Sequence, residues 1–225
     1  KDGDFMKKFM ALLLVAGMTL SLTACGGSTD TAKTDQADGK DTFTVGFDQD
    51  FPPFGYVGDD GEFTGFDIEM ATECAARMGK KIVLQPIDWD AKDMELEAGT
   101  IDCIWNGFTM NAREDQYTWT DPYMDNSQVV VVKKDSGINT LADLAGKVVE
   151  VQKESAAETA LNDEEHADLM ASFAQLLSVG EYNTAFMDLE SGAVDAVAID
   201  IGVAQFQIEG KEDQYQILDE TISSE

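Results

Sequence analysis

The sequence predicts an α/β protein of two similar lobes, each built on a mainly parallel sheet. Three observations lead there. Apolar runs with a two-residue period alternate along the chain with runs at helical spacing, the pattern of βαβ units. Residues 96–104, LEAGTIDCI, return as residues 189–197, LESGAVDAV, at a constant offset of 93 with Leu, Glu, Gly and Asp identical. The chain has 225 residues and 44% apolar side chains, enough for one large domain or two of about 100 residues each.

Taken in order, Phe43, Val45 and Phe47 alternate with polar neighbours and predict a half-buried strand ending near Asp48. A Pro- and Gly-rich loop over 50–65 follows. Ile68, Ala71, Ala75 and Met78 recur at helical spacing between Asp67 at the start and Gly79 at the stop. A strand is expected over 82–84, a short helix over 91–98 ended by Gly99, and another strand over 101–105. The second half repeats this grammar. It has a strand at 129–132, a turn of helix at 141–144, a strand at 147–151, helices near 155–162 and 181–190, and a strand at 194–199. The internal echo therefore places Asn106-Gly107 and Ile199-Asp200 at equivalent strand ends, where open α/β sheets bind ligands.

Charge excludes some functions. With 44 Asp and Glu against 15 Lys and Arg, the formal net charge is -29, and such a surface repels a nucleic-acid backbone. The single histidine, His166, lies in a polar run, so His-ligated metal sites and Ser-His-Asp triads have little to draw on. No cofactor and no metal is expected.

Residues 6–25 carry a charged start, Met6-Lys7-Lys8, and a short apolar run, the build of an export signal and too brief for a membrane span. The run closes with Leu22-Thr23-Ala24-Cys25-Gly26-Gly27, which resembles the lipobox of bacterial lipoproteins, where the Cys thiol is diacylated and becomes the new N-terminus. Residues 1–5 read as upstream translated sequence. Removing residues 1–24 takes away three Lys and two Asp and leaves 12 basic and 42 acidic side chains. Residues 26–41 lack apolar periodicity and read as a flexible tether. Cys74 and Cys103 are expected as two buried free thiols.

Several residues invite a functional reading. The chain has only two arginines. Arg77 sits four residues from Glu73 on a helix and suits a solvated ion pair. Arg113 follows a strand end, where a planar guanidinium can grip a carboxylate through two parallel hydrogen bonds. Asp200 closes a nearly all-apolar strand, a costly place for a carboxylate unless it is hydrated or meets a cation such as a ligand ammonium. Phe51 and Trp89 stand at strand ends as candidates to sandwich a ligand side chain, with Asp48 available for its polar tip; rings there also serve to cap a core.

A family resemblance rests on an ordered set of motifs: Asp48-Gln49-Asp50-Phe51-Pro52-Pro53-Phe54, Gly65-Phe66-Asp67-Ile68-Glu69, Asn106-Gly107-Phe108-Thr109 with Arg113, Thr120-Asp121-Pro122-Tyr123, 141–147 (LADLAGK) and 194–200 (VDAVAID). From about residue 42 onward the chain resembles the amino-acid-binding family of solute-binding proteins that serve ABC importers. The resemblance implies a type II periplasmic binding fold, with two lobes around a central cleft and two crossover strands. Lobe 1 is expected over 42–124 and lobe 2 over 125–222. Residues 223–225 are expected to begin a return to lobe 1, whose C-terminal part is absent from this sequence.

The resemblance also implies a monomeric, extracytoplasmic protein, lipid-anchored at Cys25, that closes on a polar or cationic L-amino acid and hands it to a membrane permease. Arg113, Thr109 and the Gly107 backbone would hold the ligand α-carboxylate, with backbone groups of Ser155 and Ala156. Asp200 would hold the α-amino group, and Phe51 and Trp89 would enclose the side chain. Two departures stand out. The gap from Thr109 to Arg113 is four residues where many relatives have five, and Glu154 occupies a turn position often filled by Gly. The alternatives are an enzyme on the same scaffold, as in cyclohexadienyl dehydratases, or a ligand-sensing module.

Overall fold

The computed structural model describes residues 40–225. The expected signal, Cys25 and most of the tether lie outside the described residues. The first lobe runs β1 (Thr42–Phe47), then three short strands, β2 (Asp50–Phe51), β3 (Gly55–Val57) and β4 (Phe63–Thr64), then α1 (Phe66–Arg77), β5 (Lys81–Pro86), α2 (Lys92–Ala98) and β6 (Cys103–Ile104). β5, β1 and β6 form a parallel sheet in that order, with Phe43 opposite Ile82 and Val45 opposite both Leu84 and Cys103. The loop expected over 50–65 instead folds β2, β3 and β4 into a small antiparallel sheet.

The second lobe runs β7 (Ser127–Lys133), a 3-10 turn (Leu141–Leu144), β8 (Val148–Gln152), α3 (Ala156–Leu161), α4 (Ala167–Ser172), β9 (Gln175–Val179), α5 (Tyr182–Ser191), β10 (Ala196–Asp200), α6 (Ile201–Ile208), β11 (Tyr215–Ile217) and β12 (Ser223–Ser224). Its sheet has the order β11-β7-β10-β8-β9, with β12 on β7. This sheet is mixed. β8, β9 and β10 run parallel, as the helices between them require, whereas β7 is antiparallel to β10, β11 and β12. β7 enters from the first lobe without a helical crossover, which frees it to run the other way.

Burial follows from the strand period. Val129 and Val131 face one apolar cluster with α5 and α6, and Val130 and Val132 face the other with α3. Each of the four is 0–1% exposed, and burying each contributes about 1.5 kcal/mol or more. The two echoed segments fold alike. α2 and α5 both end on a left-handed glycine, Gly99 with φ 69° and Gly192 with φ 81°, each donating back to the helix and leading into the next strand. Among the described residues, no helix is long and apolar enough to cross a membrane.

The lobes touch. Phe51 and Phe54 of the first lobe join the cluster built on Val129, Tyr182 and Val203 of the second. Phe54 reaches so close to Gly202 that a Cβ there would lie 2.9 Å from the ring tip. Beside this contact the segments at 126–128 and 222–225 lie together as an antiparallel ladder, with Asn126 and Glu225 exchanging backbone hydrogen bonds. Cys74 and Cys103 are free, but half-buried rather than fully buried; burial pushes the Cys103 thiol up to about 12.

Candidate functional site

Strand ends from both lobes converge on one narrow cleft, lined by Phe51, Trp89, Asn106, Gly107, Phe108, Thr109, Arg113, Gln152, Ser155, Ala156 and Asp200. Eight of the nine ligand-binding candidates read from the sequence are in that lining. Asp48 is the exception. Its carboxylate, 4% exposed, accepts from Gln152 Nε2 at 2.6 Å and from the Asp50 N–H at 2.8 Å, one layer behind the cleft wall. A carboxylate at the end of β1 had a partner across the lobes that no local pattern revealed. Burial lifts its pKa to about 6.

Arg113 lies on the segment between β6 and β7 and is 8% exposed. Its Nη1 donates to the Thr109 carbonyl at 3.2 Å, and Nη2 donates to the Glu154 carbonyl at 3.1 Å and to Thr159 Oγ1 at 3.2 Å. The guanidinium lies 5.2 Å from the Phe108 ring centroid. All its anchors are neutral oxygens or a π face, so its charge is oriented without being neutralised by a direct carboxylate. Desolvation lowers its pKa.

Asp200 precedes α6 at the end of β10 and is 5% exposed. Oδ1 accepts from Asn126 Nδ2 at 2.6 Å and Gln128 Nε2 at 2.8 Å. Burial still dominates and raises its pKa to about 6. The side-chain oxygens of Asn126 and Gln128 are buried without a partner, so acceptors outnumber donors around this carboxylate. Such a surrounding suits a cationic donor.

Gly107 has a φ of 55°, the left-handed region that favours glycine, and lies beside the Phe54 ring. Its N–H donates to Tyr123 Oη at 3.1 Å, and that hydroxyl donates to Asp67 Oδ1 at 2.8 Å. Asp67, expected only as a helix start, is fully buried and holds the cleft loop through Tyr123. Thr109 Oγ1 donates to Glu225 Oε2 at 2.6 Å. Ser155 caps α3, accepting from the Glu158 N–H at 3.1 Å, while its own N–H donates to Gln152 O at 3.2 Å. Trp89 is 6% exposed and packs edge-on to Phe108 at 5.0 Å. Phe51 stacks on Phe54 at 5.5 Å.

The sequence reading missed Asn106, Phe108 and Gln152 in the cleft wall. Asn106 had a signal in its strand-end position, and its Oδ1 accepts from the Asp48 N–H at 2.8 Å. Gln152, buried at the end of β8, had none beyond its place after an apolar strand.

This arrangement, two α/β lobes meeting over a cleft with a buried Arg and a buried Asp, defines a ligand-binding class of protein. Residues 43–188 match the profile of the bacterial extracellular solute-binding proteins, family 3, and the chain belongs to that family. The arginine-binding extracellular protein ArtP of Bacillus subtilis is 36% identical over 148 residues, covering 65% of this chain and 56% of its own length. The L-cystine-binding protein TcyJ of Escherichia coli is 31% identical over 194 residues, covering 85% of this chain and 69% of its own. Among solved structures, a substrate-binding protein of an ABC uptake transporter from Streptococcus pneumoniae with bound histidine superposes with a TM-score of 0.75 at 35% identity, over 79% of this chain and 74% of that one. The chain thus spans little more than half the length of ArtP.

Proposed function

We propose that this protein captures a polar or cationic L-amino acid by closing its two lobes on it, and delivers it to an ABC permease. The observation that carries the reading is the convergence of Arg113 and Asp200 on one cleft, a cation held by neutral acceptors and an anion rich in surrounding acceptors. In this reading Arg113 takes the α-carboxylate, aided by Thr109, the Gly107 backbone and the turn at Ser155 and Ala156. Asp200 takes the α-ammonium. Phe51 and Trp89 flank the side chain, while Asp48 acts from behind Gln152 rather than by contact.

A cationic side chain is favoured by what lies beyond Trp89, an opening that also carries Asp48, Asp50, Asp88, Asp90, Glu95 and Glu181. The relatives named above as binding arginine, cystine and histidine support the amino-acid class. The protein acts by binding alone, as a monomer tethered outside the cytoplasm through a lipid on Cys25. Calorimetry and thermal shift with L-arginine, L-histidine, L-glutamine, L-cystine and D-arginine test this. A true ligand at 100 times its Kd stabilises by about 2.7 kcal/mol. Failure of every L-amino acid to bind would end the reading.

A further inference from the structure

Among the described residues, the two non-glycines in the left-handed backbone region are Ala112, with φ 63°, and Glu154, with φ 58°. A residue with a Cβ is disfavoured there and persists only where its surroundings over-determine it. Both outliers meet at one guanidinium. Ala112 immediately precedes Arg113, and the Glu154 carbonyl accepts from Arg113 Nη2 at 3.1 Å.

The rest of Glu154 is tied as tightly. Its N–H donates to Glu158 Oε2 at 2.6 Å, and its carboxylate accepts from Lys92 Nζ at 2.6 Å. The Lys92 side chain is 3% exposed and its ammonium lies 5.3 Å from the Trp89 ring, so it has lost most of its water and requires an anion. Next to this pair, Lys153 Nζ bonds Asp90 at 2.7 Å. The first lobe thus offers a negative and then a positive charge, Asp90 and Lys92, and the second offers the complement, Lys153 and Glu154. The other pairing would set Asp90 against Glu154 and Lys92 against Lys153, like against like twice.

We propose that Glu154 is a positioning residue at the centre of an electrostatic key between the lobes. The two reciprocal salt bridges admit one docking register, and in that register the left-handed Glu154 peptide holds the Arg113 guanidinium ready for a carboxylate. Glycine would adopt the turn without strain but would leave Lys92 buried and unpaired, which explains a glutamate at this position. The proposal rests on the reading that the cleft closes on an amino acid, yet the key itself operates without ligand.

Charge reversal tests it on the full chain, with small-angle scattering of the ligand-free protein and calorimetry with L-arginine at low and high salt. Glu154→Gln keeps the backbone and removes the charge; the ligand-free protein should become more extended, and L-arginine binding should weaken about tenfold and lose part of its salt dependence. Lys92→Glu should open the lobes further. The double variant Lys92→Glu with Glu154→Lys should restore much of the compactness and affinity that Lys92→Glu alone loses, which traces the loss to the charge pairing. Wild-type scattering and salt dependence in Glu154→Gln, or a double variant as impaired as the sum of its parts, would overturn the key. If L-arginine fails to bind the unaltered protein, the amino-acid reading loses its probe while the scattering series still decides the key.

Discussion

Lowering the pH from 8 to 5 is expected to weaken amino-acid binding while making the ligand-free protein more stable, because the Asp200 carboxyl contributes to both. Asp200 has its pKa lifted from 3.8 to about 6, by burial first and by the Glu225 charge in addition, against hydrogen bonds from Gln128 and Asn126. At neutral pH this disfavours the folded form by roughly 3 kcal/mol. Between these two values the folded chain holds a proton that the unfolded chain has released, so stability rises as the pH falls through that window. Asp48 and Asp67, each lifted to about 6 mainly by burial, act in the same sense. A bound ammonium at Asp200 demands the ionised form. At pH 5, one unit below the pKa, about nine-tenths of Asp200 is protonated, so affinity should fall roughly tenfold from its value at pH 8. Calorimetry with L-arginine in half-unit pH steps measures this, and Asp200→Asn is the control, expected to bind weakly with a flat profile. A flat wild-type profile, or a slope that survives in Asp200→Asn, would refute the reasoning.

Arg113→Ala should weaken L-arginine binding about 30-fold or more, since a desolvated charge would lose its partner, and Arg113→Lys should recover only part because an ammonium lacks the two-pronged fork; calorimetry reads both. The same alanine variant should lower stability by about 2 kcal/mol in denaturant titration, as the Glu154 carbonyl and Thr159 hydroxyl lose a charged donor. Trp89→Ala should cost affinity together with about 3 kcal/mol of stability, because the ring both lines the cleft and is buried on Phe108 and Lys92. Gly202→Ala places a Cβ 2.9 Å from the tip of Phe54 and should weaken binding severalfold through the lobe contact, visible as a more extended ligand-bound form in scattering.

Much of this architecture was legible because it is local. The alternation in β1, the helical spacing of α1 and the valine run of β7 each follow from which face is buried. The echoed segments identified two equivalent strand ends, and Gly107 and Asp200 do line the same cleft. What escaped was set by distant partners. α6 begins directly after β10 and is apolar nearly all round, so it shows no helical period and no element is expected there from the sequence. β2, β3 and β4 are two or three residues long, too short for any period. Asp48 and Gln152 bond across 104 residues of sequence, and Lys92 and Glu154 across 62, so neither pair leaves a trace in local spacing.

The most direct measurement is a crystal structure of the complex with L-arginine. The account predicts an α-carboxylate within hydrogen-bonding distance of Arg113 and an α-ammonium on Asp200, with Phe51 and Trp89 against the side chain. A ligand seated elsewhere, or one in this cleft that leaves Arg113 and Asp200 untouched, would contradict it.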